Sequence, residues 1–113
     1  NLEWFANGQE HDPDVQVQGA RNLMTLLNAD VYALCEIVNA DSLRNLAASL
    51  PGGFSSVVSG FGSFADAPND PDWPSAQKLA LVYRTNKVRV LRSRALMAGS
   101  PDAYYNFSSG RYP

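Results

Sequence analysis

The sequence has little of what supports thiol or histidine chemistry. It contains one cysteine, Cys35, and one histidine, His11, among 113 residues. A single cysteine cannot form an intrachain disulfide, so cysteine usage does not indicate a compartment, and a secreted or periplasmic location stays open. We expect Cys35, within an apolar strand run, to be an inert small side chain in the core. A lone histidine in a polar loop is more often solvated than catalytic.

Long apolar runs and common catalytic motifs are also missing. No apolar run approaches the roughly 20 residues that a membrane-spanning helix needs, and no basic-then-apolar signal segment opens the chain. The glycine and proline contents, 8 and 7 residues, exclude a collagen-like or low-complexity chain. Glycine-rich phosphate loops, Gly-x-Ser-x-Gly, Cys-x-x-Cys and His-Glu-x-x-His are absent. The 45% hydrophobic content over 113 residues is enough for one small globular domain.

The charges are unevenly distributed, although the net charge is only −2. Residues 1–76 carry two basic and ten acidic side chains, a balance of −8, whereas residues 77–113 carry seven basic and one acidic, a balance of +6. This asymmetry favours an anionic partner near the C-terminal third. The alternative is that these basic residues lie on the solvent side of a hairpin and pair with the acidic half.

Two helices are predicted from capping residues and apolar spacing. Asp12 followed by Pro13 is typical of a helix start, because the aspartate can accept hydrogen bonds from the first turn. This helix is expected to end at residues 28–30. Asp41 or Ser42 is expected to cap the second helix, which a Pro-Gly-Gly sequence stops. The residues expected on their buried faces are Ala20, Leu23, Met24 and Leu27 in the first helix and Leu43, Leu46, Ala47 and Leu50 in the second.

The β-prone runs give the order β-α-β-α-β-loop-β-β. They lie at residues 1–5, 31–35, 54–59, 79–83 and 88–96. The second run is continuously apolar, which predicts burial on both faces. The last two are expected to form a hairpin through Thr85-Asn86, with a bulge near Leu91, and residues 60–76 are expected to form a long loop. This alternation favours an α/β layered fold over a helical bundle or a β-sandwich.

Two polar residues are candidates for a metal site. Glu36 directly follows a buried strand run, at the edge where open α/β sheets place ligand-binding groups. Mg²⁺ is commonly held by one or two protein carboxylates with several waters retained. If the first two strands are neighbours, Asn1 would bring an amide close to Glu36, as a neutral oxygen ligand or as a hydrogen-bond partner of a water on the ion. Each residue alone is more often an ordinary exposed polar side chain.

Two further residues are candidates for phosphate binding and for positioning. Arg111 lies in a Gly-Arg-Tyr-Pro sequence, where a guanidinium on a rigid turn suits bidentate phosphate contact. The alternative for Arg111 is a structural role, capping helix carbonyls or pairing with an acid. Gln77 begins a strand run, where it would orient a catalytic imidazole or satisfy a sheet edge.

Four segments together resemble a known superfamily. They are Asn-Leu-Glu-Trp-Phe at 1–5, Ala-Asp-Val-Tyr-Ala-Leu-Cys-Glu-Ile at 29–37, Gln-Lys-Leu-Ala-Leu-Val-Tyr-Arg-Thr-Asn-Lys-Val at 77–88 and Ser-Ser-Gly-Arg-Tyr-Pro at 108–113. Their order and spacing are similar to those of the endonuclease/exonuclease/phosphatase superfamily, which includes deoxyribonuclease I, abasic-site endonucleases, neutral sphingomyelinases and inositol polyphosphate 5-phosphatases. The resemblance implies a four-layer α/β sandwich and a phosphoesterase that uses Mg²⁺, with Mn²⁺ or Ca²⁺ as possible substitutes.

The resemblance also implies roles for individual residues. By position, Glu36 resembles the metal-ligating glutamate at the end of the second strand, and Asn1 the asparagine beside the metal and the scissile phosphate. Arg111 resembles a phosphate-contacting arginine before a proline, and Gln77 falls near the residue that orients a catalytic histidine. Cys35 stands where the superfamily usually has glutamine.

The resemblance covers only the N-terminal half of such a domain. The superfamily's later histidine, Asp-x-Asn pair and final Asp-His are absent from the 113 residues. We therefore expect no turnover by this chain alone, and we expect the rest of the domain and a nucleic acid substrate as its partners. Half a sandwich exposes one sheet face, which predicts marginal stability or self-association. A phospholipid or inositol-phosphate phosphoesterase of the same fold and a non-catalytic α/β binding module stay as alternatives.

Overall fold

The computed structural model describes residues 1–9, 11–65 and 67–94. Within these ranges it contains two helices and three strands. In chain order these are α1 (Pro13–Leu27), β1 (Val31–Ile37), α2 (Ala40–Ser49), β2 (Phe54–Gly62) and β3 (Lys78–Arg84). The three strands form one antiparallel sheet. The expected α/β class is therefore confirmed at the level of one sheet with two helices.

The helix boundaries follow local capping chemistry. Asp12 caps α1 as predicted, its side chain accepting two backbone N–H groups of the first turn, and Asn28 ends the helix in a left-handed conformation with φ of 48°. The prediction of Asp41 or Ser42 as the cap of α2 is wrong. Asn39 holds that position, because its side-chain oxygen accepts from the Ser42 N–H at 2.9 Å and starts the helix earlier.

The buried face of α2 is the predicted one, whereas that of α1 is narrower than predicted. Leu43, Leu46, Ala47 and the capping residue Leu50 are buried. In α1, Ala20 and Met24 are buried, but Leu23 and Leu27 are 52% and 60% exposed. The helix contributes one stripe of side chains to the core cluster, through Ala20, Met24 and the partly buried Val17, so apolar residues beside that stripe face outward.

The sheet order is β1-β3-β2, with β3 antiparallel to both neighbours. Both edges of β3 are therefore occupied, and a hairpin between β3 and a following strand has no free edge to use. The predictions of a Thr85-Asn86 hairpin and of a bulge near Leu91 are wrong. The N–H groups of Lys87 and Val88 instead donate to the Arg84 carbonyl, and residues 88–94 form no strand. The last two residues of the predicted 88–96 strand lie outside the described part.

The N-terminal residues lie beside β1 without forming the predicted strand at 1–5. Only Phe5 pairs with the sheet, in a parallel bridge to Ile37. Glu3, Trp4 and Ala6 have φ of 45°, 53° and 57°, which is incompatible with extended backbone.

Gln16 of α1 fixes this irregular segment from its other side. Its side-chain oxygen accepts from the Ala6 N–H at 2.7 Å, and its amide nitrogen donates to the Leu2 and Glu3 carbonyls at 2.6 and 2.7 Å. These bonds satisfy backbone groups that strand pairing would otherwise have satisfied.

The two faces of the sheet differ in burial. One face belongs to the core with both helices and includes Tyr32, Ala80 and Val82. On the other face, Val31, Leu79 and Leu81 are 44%, 52% and 37% exposed. The prediction that the 31–35 run is buried on both faces is therefore wrong, because its second face carries partly exposed apolar side chains. Among the described residues, no helix is long and apolar enough to cross a membrane.

Candidate functional site

Glu36 lies in a β-bulge near the end of β1. Leu34 pairs with Ala80 and Ile37 pairs with Lys78, so β1 has one more residue than β3 over this stretch. Glu36 itself has φ of 64°, a conformation that residues with side chains rarely adopt. Bulges redirect side chains and are over-represented beside active sites, and strained backbone is enriched there as well. The local geometry therefore favours a functional role for this carboxylate.

Asn1 contacts one oxygen of that carboxylate. Its side-chain nitrogen donates to Glu36 Oε1 at 3.0 Å, while its Oδ1 accepts from the Glu3 N–H at 2.7 Å. The chain is held at the bulge by the Leu2 N–H on the Cys35 carbonyl and the Phe5 N–H on the Glu36 carbonyl, at 3.3 and 2.9 Å. In this arrangement the Asn1 amide orients Glu36, and its own oxygen is engaged with the backbone.

Gln77 contacts the other carboxylate oxygen from the start of β3. Its Nε2 donates to Glu36 Oε2 at 3.1 Å, and the residue is only 7% exposed. Gln77 Oε1 is buried and accepts no hydrogen bond from the described residues. The Glu36 carboxylate therefore has an amide donor on each oxygen, and these donors come from residues 35 and 41 positions away in sequence.

The position of Gln77 depends on the closed base of the loop between β2 and β3. The Ser63 N–H donates to the Gln77 carbonyl at 2.9 Å, and the Gln77 N–H donates back to Ser63 Oγ at 3.2 Å. A Cβ on Gly62 would come within 2.6 Å of the Ala76 Cβ, so a larger residue there would push the two ends of the loop apart.

Lys78 stabilises the same loop through its contacts with Trp73. It is 1% exposed, its Nζ donates to the Trp73 carbonyl at 2.6 Å, and it lies 4.2 Å from the centroid of the Trp73 ring. Burial lowers the pKa of Lys78 to about 8. Sequence reasoning counted this lysine among the bases available to an anionic partner and missed its role. Its alternation with the buried Ala80 and Val82 along β3 was the available signal.

The Glu36 carboxylate is the kind of oxygen ligand that hard cations take. A carboxylate offers about four lone-pair positions, and neutral amide donors orient it without adding an opposing charge. No group of three or more His, Cys, Asp and Glu side chains that could hold a metal occurs within residues 1–9, 11–65 and 67–94. Within the described part of the chain, an ion at Glu36 would have one carboxylate ligand together with water or substrate oxygens, which is a coordination that Mg²⁺ accepts.

The structure brings together three of the residues predicted for the site, Asn1, Glu36 and Gln77. Arg111 lies outside the described residues. His11 is exposed in the loop before α1. Cys35 is half-buried beside Glu36, so the prediction that it lies in the core is wrong, because β1 faces the core on one side only. The predicted role of Gln77 toward an imidazole stays a prediction.

Comparisons of the chain with protein-family models, with curated proteins and with solved structures found no match.

Proposed function

We propose that this chain is the N-terminal part of a Mg²⁺-dependent phosphodiesterase of the endonuclease/exonuclease/phosphatase type, and that its substrate is a nucleic acid. The observation that supports this proposal is the convergence of Asn1 and Gln77 on the two oxygens of Glu36 at a strained bulge. The resemblance had assigned these same three positions to one active site.

In this proposal each of these residues has a separate role. Glu36 holds the ion, and Asn1 and Gln77 fix the direction of its carboxylate through one hydrogen bond to each oxygen. A bound Mg²⁺ supplies Lewis-acid polarisation of a phosphoryl oxygen. Arg111 contributes a guanidinium for the phosphate, as the resemblance implies. The superfamily's groups for activating water are not among these residues, so the 113-residue chain is expected to bind the ion without hydrolysing substrate.

The proposal is tested in a polypeptide that continues past Pro113, by following Mg²⁺-dependent nicking of supercoiled plasmid. Glu36→Gln keeps the side-chain shape and removes the charge, and it should cost more than the roughly 10- to 100-fold that loss of an outer hydrogen-bond partner costs. Asp14→Asn, which removes an exposed acid from the first turn of α1, should leave nicking unchanged. Equal activity of the wild type and Glu36→Gln would contradict the proposal.

The substrate is tested in the same preparation. Parallel assays on sphingomyelin and on an inositol polyphosphate distinguish a nuclease from a lipid or inositol-phosphate phosphoesterase that uses the same carboxylate. Turnover of lipid or inositol phosphate without nicking would overturn the nucleic-acid assignment while leaving the metal site intact. No turnover of any substrate, with no metal binding, would instead favour a non-catalytic module.

A further inference from the structure

The basic residues between positions 77 and 94 form two groups, those that contact other described residues and those that form no ion pair with them. Lys78 is buried against Trp73, and Arg84 and Lys87 donate to the Asp30 carboxylate at 2.9 and 3.1 Å. The other bases up to residue 94 are exposed and form no ion pair with a described residue; they are Arg89, Arg92 and Arg94. The sequence contains no acidic residue between positions 77 and 94 to neutralise them.

These three arginines begin at the end of the sheet opposite Glu36. The register places Ile37 against Lys78 at one end of β3 and Val31 against Tyr83 at the other. Strands rise about 3.3 Å per residue, so β3 separates its two ends by about 20 Å. The Val88 N–H donates to the Arg84 carbonyl, which fixes the start of the following segment at that far end.

We propose that residues 88–94, the basic segment, bind the phosphate backbone of a nucleic acid that also reaches Glu36. Guanidinium groups form bidentate hydrogen bonds with phosphate, and three exposed ones within six positions match a repeating anion. The inference rests on the proposed nucleic-acid substrate and adds the residues that hold it away from the reacting phosphate. An anionic membrane fits less well, because membrane insertion needs several exposed apolar side chains. In this segment Leu91, which is 79% exposed, is the one large apolar residue of that kind.

The separation of the two sites makes binding depend on substrate length. Successive nucleotides of a stacked, helical strand advance about 3.4 Å along its axis, so about six stacked nucleotides cover 20 Å. A shorter oligonucleotide reaches either Glu36 or the basic segment, and a longer one reaches both. With an ion at Glu36, a strand long enough to reach both sites should therefore bind more tightly than a short one.

The test measures fluorescence anisotropy of labelled single-stranded oligonucleotides with the 113-residue chain over a range of salt concentrations. The 12-mers are measured in EDTA, and 12-mers and 4-mers are also compared in Mg²⁺, where the gain in affinity over EDTA should be larger for the 12-mer. Arg92→Gln/Arg94→Gln should weaken 12-mer binding about tenfold and reduce the salt slope by about 1.4, since each phosphate contact in a single strand contributes about 0.7. The matched control, Arg21→Gln/Arg44→Gln, removes the same charge from the acidic half and should change affinity less than twofold. Circular dichroism verifies that both variants are folded.

The outcomes separate this inference from the metal site. Glu36→Gln should keep its 12-mer affinity in EDTA, so loss of the metal site alone leaves the basic segment testable. Equal weakening by the two double variants would reduce the effect to net charge and overturn the proposal. Absence of 12-mer binding by the wild type would overturn it as well. Binding to phosphatidylserine vesicles without binding to the oligonucleotide would assign the segment to a membrane instead.

Discussion

The carboxylates near the two ends of β1 are held in different ways. Asp30, just before the strand, accepts hydrogen bonds from Lys87 and Arg84, which lower the pKa of its carboxyl. Glu36, near the other end, accepts hydrogen bonds from the Asn1 and Gln77 amides. Both of these donors to Asp30 are cations that offset its charge, whereas the Asn1 and Gln77 amides are uncharged groups that orient Glu36. The comparison identifies Asp30 as the centre of a structural clasp with Arg84 and Lys87, and the metal role proposed for Glu36 predicts different behaviour at the two ends of β1.

The largest expected effect is the loss of metal binding at one end of β1 only. Glu36→Gln should lower the affinity of the chain for Mn²⁺ more than tenfold in a calorimetric titration, because magnesium-type ions need a charged oxygen ligand. Asp30→Asn should leave the affinity unchanged, because that carboxylate is committed to Lys87 and Arg84. Equal losses for the two variants would remove the distinction between the two ends.

A smaller effect is expected when one amide is removed. Gln77→Met keeps the length of the side chain but loses the donor to Glu36 Oε2, and it should weaken Mn²⁺ binding about tenfold. It also removes the buried Oε1, so the unfolding midpoint should not fall with the affinity. A parallel loss of stability and of affinity would show that Gln77 is structural rather than a positioning residue.

The lysines near the two ends should respond differently to pH. Burial lowers the pKa of Lys78 to about 8 from an unfolded value of 10.5. Between these values the unfolded chain binds more protons, so the Lys78 contribution makes the folded state more stable as pH rises above about 8. Urea unfolding from pH 7 to 9.5 should show this rise in the wild type and not in Lys78→Met. Lys87→Met, which removes an exposed lysine, should keep the rise; if it disappears there too, Lys78 is not its source.

The smallest expected effect concerns the stability that the clasp, Asp30 with Arg84 and Lys87, gives to the fold. Asp30→Asn should lower the urea midpoint more than Asp41→Asn does, because Asp30 joins two cations across the sheet whereas the Asp41–Arg44 pair is a local contact on α2. Lowering the pH below the carboxyl pKa should remove the same contribution, since Asp30 is stabilising only when charged. A larger loss for Asp41→Asn would contradict the role of the clasp.

Features set by local chemistry could be predicted from the sequence. The Asp12-Pro13 start of α1 and the buried face of α2 depend on residues within a few positions of one another, and both are confirmed. The prediction that Asn1 lies close to Glu36 depended only on the N-terminal residues running beside β1. The single bridge between Phe5 and Ile37 is sufficient to place them there.

Features set by the arrangement of elements could not be predicted in this way. The 88–96 run has strand-like residues, but nothing local reveals that β3 already has a neighbour on each edge. The exposure of Val31 and Leu79 likewise depends on how many layers cover the sheet. The bulge at Glu36 exists because β1 has one more residue than β3 over the same stretch. The sequence of either strand alone does not reveal this difference.

The most direct test of the central assignment is to locate a paramagnetic ion on the folded chain. Substoichiometric Mn²⁺ added to the ¹⁵N-labelled protein should selectively broaden the backbone amide resonances of Cys35, Glu36 and Gln77. The resonances of Asp30 and Arg84, at the far end of the sheet, should keep their intensity. Broadening centred on Asp30, or spread evenly over the exposed acidic residues, would contradict a metal site at Glu36.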